Sequence, residues 1–529
     1  MSVSSAKVKG ILGRLPLAAE LDWSLRGRMQ PPDGFKLEEL KAALPDWVAQ
    51  AESALSQNTS TKKVLVFASL HYWISHACLL SVALAGRGHR VSLGYLPYAT
   101  WRKPVSKFDL RRREAYARSV FAPAEKVIRI DSLLGDEKPV SLPFELQEAI
   151  IDVSVMDTQY TLQVEDVDRN GDLFKLRLNR NGQAARAALK WIEDEQPDVI
   201  LLPNGLILEF GAIHHAARAL KIPVISYEFG EQRDRIWLSR NKPVMLQDTE
   251  SFWQEKKKDP FTEDQRLEIE KLFSSRQGAD LYEQFSRRWQ KAPSEGAESA
   301  RSALQLDGRP VVLLAANVIG DSLTLGRATF TGDMSNWLRR TLDFFAKRDD
   351  IQLVVRVHPG EVKLKGPSVS DLARDHLSQI PDRFRIIEAG DEINTYDLIA
   401  VADLGLVYTT TVGLEMAMSG VPVIVAGKTH YRGKGFTLDP SSWEDYFLKL
   451  EDCLKEIRHT PPAIQTETAW HYAYRFFFEY PQPFPWHLLH LWEDLREKPL
   501  SAILADNGQA TYGWTFDYLV GEPFDWDAN

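Results

Sequence analysis

The pattern of apolar and polar positions divides the chain into segments of different period. Leu37 to Ser56 carries apolar residues at mixed three- and four-residue spacing and predicts a helix. The pattern changes at Lys62-Lys63. Val64 to Ala68 is a short unbroken apolar run, which suits a strand buried on both faces. The spacing then predicts a helix over 75–85, ended by Gly86-Arg87-Gly88-His89, and a strand from Arg90 to Gly94. Strand, helix, strand units of this kind build parallel sheets. The rhythm continues with strands at Lys126 to Ile130, Asp198 to Leu202 and Pro223 to Tyr227, and helices at Ala184 to Glu195 and Phe210 to Leu220. Residues 249–300 are charged and helical in pattern, and Lys291 to Gly296 reads as a linker.

A second alternating set follows Gly308. Strands are expected at Val311 to Ala316, Ile351 to Val357, Arg383 to Ile387, Leu404 to Tyr408 and Val421 to Ala426, with helices at Asn336 to Arg348 and Val412 to Ser419. The fold class is therefore α/β, with two doubly wound units. The expected segments are a helical extension over 1–60, a first unit over 61–295, a second over 296–460, and an aromatic, acidic tail over 461–529. Ligands in such sheets bind at the C-terminal ends of the strands.

Composition narrows the function. With 44% hydrophobic and 26% charged residues the balance is globular, which excludes collagen-like, disordered and disulfide-stapled classes. The net charge of −9 argues against a dedicated nucleic-acid binder. Cys78 and Cys453 lie far apart in apolar helical contexts, as expected of buried free thiols in a reducing compartment. The N-terminus lacks a secretory signal, and the longest near-apolar run, Ala77 to Gly86, is about half the length that crosses a bilayer. The expected location is the cytoplasm. One local exception to the acidic balance is 101–113, with six basic residues against one aspartate. It reads either as a solvated loop or as a contact with anionic lipid, or with a polyprenyl-phosphate acceptor, at the inner face of the plasma membrane.

Four stretches sit where strands of the second unit end. Tyr408-Thr409-Thr410-Thr411-Val412-Gly413-Leu414-Glu415 places three hydroxyls and a glycine at a helix start, an arrangement that can receive phosphate oxygens. A plain threonine N-cap explains the same residues. Arg356-Val357-His358-Pro359-Gly360-Glu361 puts a guanidinium and an imidazole on one strand face. His430 to Thr437 combines Arg432 and Lys434 with Gly433 and Gly435, as an anion-binding or an ordinary basic loop would. Asn317 and Asp321 mark the same rim. In the first unit, His71 and His76 follow the first strand, and Glu228, Glu231 and Asp234 follow the strand ending at Tyr227. A base or nucleophile would stand there. Glu165-Asp166-Val167-Asp168 reads as a solvated loop rather than a metal site, and His214-His215 diverge on a helix.

Taken together, these motifs resemble the bacterial capsule-polysaccharide-biosynthesis glycosyltransferases of the GT-B type, related to Kdo-transferase-like capsule enzymes. The resemblance rests on Asn317, Asp321, Trp337, Arg356-x-His358-Pro359-x-Glu361, Thr409-Thr410-Thr411-x-Gly413-Leu414-Glu415, Gly420-x-Pro422-Val423 and His430-Tyr431-x-Gly433-Lys434-Gly435-Phe436-Thr437, over 308–440. It is looser at Gly86 to Val91, Pro203-Asn204-Gly205, Tyr227-Glu228-x-Gly230 and Tyr472 to Pro485. It implies two Rossmann-like domains facing across a cleft, with a C-terminal tail crossing back to the first. It implies transfer of a sugar from a UDP- or CMP-linked donor to a cell-surface glycan or polyprenyl-linked acceptor, with no separate cofactor and no metal. Asn317, Asp321, Arg356, His358, Thr410, Thr411, Gly413, Glu415 and Lys434 would hold the donor. Glu228, His71 and His358 are the residues assigned to catalysis. Inverting or retaining chemistry stays open. Rival readings are a nucleotide-sugar 2-epimerase or hydrolase of the same fold, and a non-catalytic binding or scaffold protein.

Overall fold

A computed structural model describes residues 3–26, 34–55, 61–135, 141–285, 288, 290–363, 366–457 and 465–527. Parts of the expected 1–60 extension and 461–529 tail, Ser56 among them, lie outside the described residues.

The chain forms two compact units. The first comprises the residues up to Asp157, Asp168–Met245 and the chain from Gln482 onward; the second comprises Thr158–Val167 and Leu246–Pro481. Unit 1 begins with helices α1 (Val3–Leu12), α2 (Ala18–Arg26) and α3 (Glu38–Leu55), followed by β1 (Lys63–Ser69), α4 (His71–Gly86), β2 (Arg90–Leu96), α5 (Lys107–Phe121), β3 (Arg129–Ser132), β4 (Val199–Pro203), β5 (Val224–Glu228) and β6 (Arg235–Arg240). Unit 2 holds β7 (Val311–Ala315), β8 (Gln352–Arg356), β9 (Phe384–Ile387), β10 (Leu404–Val407) and β11 (Val423–Val425). A last strand, β12 (Gln482–Pro483), pairs antiparallel with β6.

The two sheets share one plan. The first runs β12-β6-β5-β4-β1-β2-β3 and the second β11-β10-β7-β8-β9. Both therefore contain five parallel strands in the Rossmann order 3-2-1-4-5, and each has a switch point beside its first strand. In unit 1 that point lies between β1 and β4, paired Val64 to Val199; in unit 2 it lies between β7 and β10, paired Val312 to Leu404. The apolar runs read from the sequence become these central strands because helices cover both sheet faces. Helix α4 is buried from Trp73 to Gly86, and its all-round apolar character reflects that position. In unit 2, β7, β8 and β10 meet Trp337, Leu338, Leu342 and Tyr446 in one core. Both cysteines are free and buried.

Several boundaries differ from expectation. The chain changes unit between Met245 and Leu246, not near 295. Helices Glu250–Lys256 and Glu263–Gln277 place Trp253 against Tyr472 and Phe273 against Trp470, with ring centroids 5.2 and 6.0 Å apart, which holds them in unit 2. The expected linker at 291–296 is tied down: Lys291 Nζ donates to the Ala389 carbonyl at 3.1 Å, and the Glu295 and Gly296 amides donate to Asp397. The aromatic tail divides, with 466–481 in unit 2 and the chain from 482 returning to unit 1. The third strand starts at Arg129 rather than Lys126, because Ala122–Lys126 winds as a 3-10 helix. Glu165 is not in a solvated loop. Its carboxylate accepts the Met334 and Ser335 amides, both at 2.8 Å, at the start of helix Met334–Ala346.

Candidate functional site

The loops leaving β7, β8 and β10 form the rim of unit 2. At the switch point, Asn317 Oδ1 accepts the Thr409 amide at 3.0 Å, so the loop after β7 is pinned to the loop after β10. Thr409 Oγ1 donates to the Leu323 carbonyl at 3.0 Å. Asn317, Thr409 and Thr410 are buried, while Thr411 is partly exposed as the N-cap of Val412–Met418 and makes no capping bond with its side chain. The hydroxyl of Tyr431 donates to the Thr410 carbonyl at 2.6 Å. A neighbouring cavity of about 170 Å³ is lined by Val318 and Ile319 after β7, Glu361 after β8, and Glu388 to Gly390 after β9.

Gly413 is buried and has a structural reason different from ligand approach. A Cβ there would lie 2.3 Å from the Tyr431 hydroxyl and 2.9 Å from Val407 Cγ2. The missing side chain makes room for the tyrosine that fixes the threonine loop. Gly413→Ala should cost about 1–3 kcal/mol by overpacking, read from the midpoint of denaturant unfolding.

His358 is partly exposed, just past β8. Its Nδ1 accepts the Gly360 amide at 3.0 Å, so a neutral ring carries its proton on Nε2. A Cβ on residue 360 would lie 2.9 Å from that Nδ1. Arg356, two residues earlier, is engaged by another loop. It is buried, and its Nη1 donates to the Glu388 carbonyl at 3.0 Å. Burial lowers its pKa from the ordinary arginine value, with Asp391 opposing.

The two cations of the 430–437 loop are spent on the fold. Lys434, its side chain almost wholly buried, is paired with Glu250, and Arg432 donates to the carbonyls of Val425 and Pro440. Glu415 is likewise engaged: its Oε1 receives Arg276 Nη1 at 3.1 Å in a buried ion pair. Of the nine residues expected to hold a donor, the partly exposed ones are Asp321, His358 and Thr411. Burial raises the Asp321 carboxyl above its usual range, opposed by the Ser322 and Leu323 amides.

Sequence reading missed Arg276, Arg327, Gln247 and Glu250. Arg327 is buried, donates to Gln247 Oε1 at 3.0 Å, and is pushed down to about 10 by burial. Each sits far along the chain from what it serves, and no local spacing marks it. The apolar environment is also strong at His430, whose ring stacks on Phe476 at 3.7 Å and whose burial keeps it neutral.

In unit 1, Glu228 ends β5. It accepts the Phe229 amide at 3.1 Å and Asn204 Nδ2 at 3.3 Å, and burial pushes its carboxyl up to about 7. Asn204 is itself set by accepting the Leu206 and Ile207 amides. The switch-point turns are strained: Leu70 has φ 69°, Asn204 62° and Leu208 58°. Non-glycine residues in that region cost about 1–3 kcal/mol each and cluster at functional sites. His71 follows Leu70 and opens α4. Burial and Lys36 lower its pKa, so it is neutral at pH 7. It lines a cavity of about 720 Å³ with Tyr72, Ser75, Lys36 and His490; Glu228 does not line that cavity. His76 is a core residue. Its Nε2 donates to the Trp486 carbonyl at 3.2 Å, and burial lowers its pKa to about 3.

No curated protein matches the chain. Among solved structures it is similar to two KpsC transferases of Thermosulfurimonas dismutans. The β-Kdo 2,4-transferase is 16% identical with a TM-score of 0.34, over 55% of this chain and 83% of that one. The β-Kdo 2,7-transferase is 13% identical with a TM-score of 0.34, over 56% and 82%. A UDP-GlcNAc 2-epimerase from Neisseria meningitidis bound to UDP-GlcNAc is 13% identical with a TM-score of 0.26, over 79% and 99%. Residues 274–449, which contain β7 to β11 and every loop of the unit 2 rim, match the model of the family described as capsule polysaccharide biosynthesis protein.

Proposed function

We propose that the protein is a glycosyltransferase that moves a sugar from a nucleotide-activated donor to a cell-surface glycan or lipid-linked acceptor, without a metal. The observation that carries this reading is the rim of unit 2. His358, Asp321 and the Thr409–Thr411 turn follow three adjacent Rossmann-ordered strands, inside the stretch that matches a capsule polysaccharide biosynthesis family. That is where an α/β sheet of this order takes a nucleotide.

Transfer breaks the bond between the anomeric carbon and a phosphate oxygen, and forms one from that carbon to the acceptor oxygen. The electron pair leaves with the nucleotide. His358 Nε2–H and the Thr411 hydroxyl would donate to the phosphate oxygens as their charge grows. The acceptor hydroxyl must lose its proton, and Glu228, poised near neutrality, is the base. Nucleotide-activated sugars reside in the cytoplasm, and we place the enzyme there. No helix among the described residues is long and apolar enough to cross a membrane.

A thermal-shift panel of UDP, GDP, CMP and dTDP tests the donor site. A ligand at 100 times its Kd stabilises the native state by about 2.7 kcal/mol. One nucleotide should raise the melting temperature by a few degrees, and His358→Ala should remove the rise. No shift with any of the four would overturn the reading. Conversion of a UDP-sugar to its epimer without an acceptor would instead mark a 2-epimerase.

A further inference from the structure

The N-terminal helices carry their apolar face on the outside. Among the described residues, sixteen large apolar side chains are exposed, and six of them fall within 8–25. Val8, Ile11, Leu15, Leu17, Leu21 and Leu25 are between 49% and 82% exposed. Their spacings of three and four residues put Val8 and Ile11 on one face of α1, and Leu21 and Leu25 on one face of α2. Leu15 and Leu17 join the two in the connecting turn.

The polar side of α2 faces the protein instead. Arg111 on α5 donates to both carboxylate oxygens of Glu20, at 3.0 and 2.6 Å, and Arg112 pairs with Asp22 at 2.8 Å. Lys9 on α1 bonds Asp109 at 2.9 Å. Trp23 and the buried Ala19 turn the same way, with Trp23 5.1 Å from Tyr116. A Cβ on Gly13 would lie 2.9 Å from the Phe108 amide, so the end of α1 is packed on the start of α5. A surface helix ordinarily does the reverse, burying leucines and hydrating carboxylates. Monomeric soluble proteins seldom expose a contiguous apolar patch above roughly a few hundred Å² unless something covers it.

The charge of the surroundings identifies the cover. Residues 1–26 and 101–113 together hold ten basic and three acidic residues, in a chain whose net charge is −9. All three acids, Glu20, Asp22 and Asp109, are ion-paired. Arg14, Arg102, Lys103 and Lys107 are exposed. An apolar stripe flanked by exposed cations in a strongly basic region fits an anionic lipid surface. It does not fit a second copy of this chain, because a two-fold contact would bring the same cations together. At about 15 Å each, α1 and α2 are too short to cross a bilayer and long enough to lie in its headgroup layer.

We infer that α1 and α2 form a membrane-surface dock for anionic bilayers. The segment 101–113, read from the sequence as a solvated loop or a lipid contact, has a different part. Arg111 and Arg112 hold α2 in place, and Lys107 lies beside Gly13, where α1 ends. The dock does not depend on the glycosyl-transfer reading.

Co-sedimentation of the full chain with phosphatidylcholine vesicles, with and without phosphatidylglycerol, tests it. The protein should pellet with the anionic vesicles and only weakly with the neutral ones. The double change Leu21→Glu, Leu25→Glu should lower the bound fraction about tenfold. Its circular dichroism and its nucleotide-induced thermal shift should be unchanged, because both side chains are exposed. Arg14→Glu with Lys107→Glu leaves the leucines intact and should weaken binding while reducing its salt dependence. Absence of vesicle binding by the wild-type chain overturns the inference, as does equal binding by the leucine variant. A wild-type dimer that the leucine variant dissociates, with no vesicle binding, would overturn it too and assign the stripe to self-association.

Discussion

Glu228→Gln should lower the transfer rate by about 10²–10⁴-fold, the usual effect of removing a general base. It should leave nucleotide binding intact, because the proposed donor groups lie in unit 2 and Glu228 in unit 1. The pH profile is the decisive readout. A base works only when unprotonated, and burial raises this carboxyl to about 7, against the hydrogen bonds from Phe229 and Asn204. The wild-type kcat/KM should therefore rise with pH through an ionisation near neutrality. The Glu228→Gln enzyme should lack that limb. Stability moves the other way. A carboxyl with a raised folded-state pKa contributes stability below its unfolded value of 4.5 and loses it as pH rises through about 7. Removing the charge should thus make the protein no less stable at alkaline pH. Equal rates and an unchanged acidic limb in the variant would assign the proton transfer to another group, with His71 the next candidate.

The parts of this architecture that were legible in the sequence are those set by local period. The apolar runs at Val64, Asp198, Val311, Ile351 and Leu404 all became parallel strands, because burial on both faces leaves an unbroken apolar signature. Turns at their ends could be placed for the same reason, and Asn317 and the threonine run do meet at the second switch point. Side-chain partners were not legible. Alternation along β8 grouped Arg356 with His358, but could not show that the arginine donates to the Glu388 carbonyl while His358 Nδ1 takes the Gly360 amide. Nor could spacing reveal that Lys434 would be met by Glu250, 184 positions away, or that Glu165 would cap a helix that starts 169 positions further on. β6 and β12 leave no such signature: β6 is buried only at Ile236 and Leu238, and the edge strand β12 is two residues long. Before Leu37 the sequence predicts no helix, yet α1 and α2 form there. Their inversion emerged only from the pairs Arg111–Glu20 and Arg112–Asp22.

Arg276→Met should destabilise unit 2 by about 3–5 kcal/mol, the range for removing one partner of a buried ion pair. Both side chains of the pair are nearly inaccessible, and the guanidinium also lies over Phe477, 4.6 Å from the ring centroid. Methionine can keep much of that packing but leaves the Glu415 carboxylate buried without its cation. The neighbouring phenol of Tyr396 already registers this environment: burial, then Glu415, hold it well above its ordinary value. In the variant, Glu415 should itself be shifted upward, so its charge is unfavourable above its unfolded pKa. The deficit should therefore shrink on acidification and be largest at neutral and higher pH. Adding Glu415→Gln to Arg276→Met should recover about 1–4 kcal/mol, because a buried pair replaced as a whole is often nearly neutral. Urea unfolding, followed through the transition that includes unit 2, gives all three numbers. The same series separates two roles for Glu415. If its carboxylate serves mainly to anchor the helix Glu263–Gln277 under the threonine turn, the double variant should regain both stability and nucleotide binding. If it holds the donor ribose, stability should return while binding stays lost. An Arg276→Met protein with an unchanged midpoint would mean that the pair contributes nothing, and that the turn at 409–411 is held by its bonds to Asn317, Leu323 and Tyr431 without it.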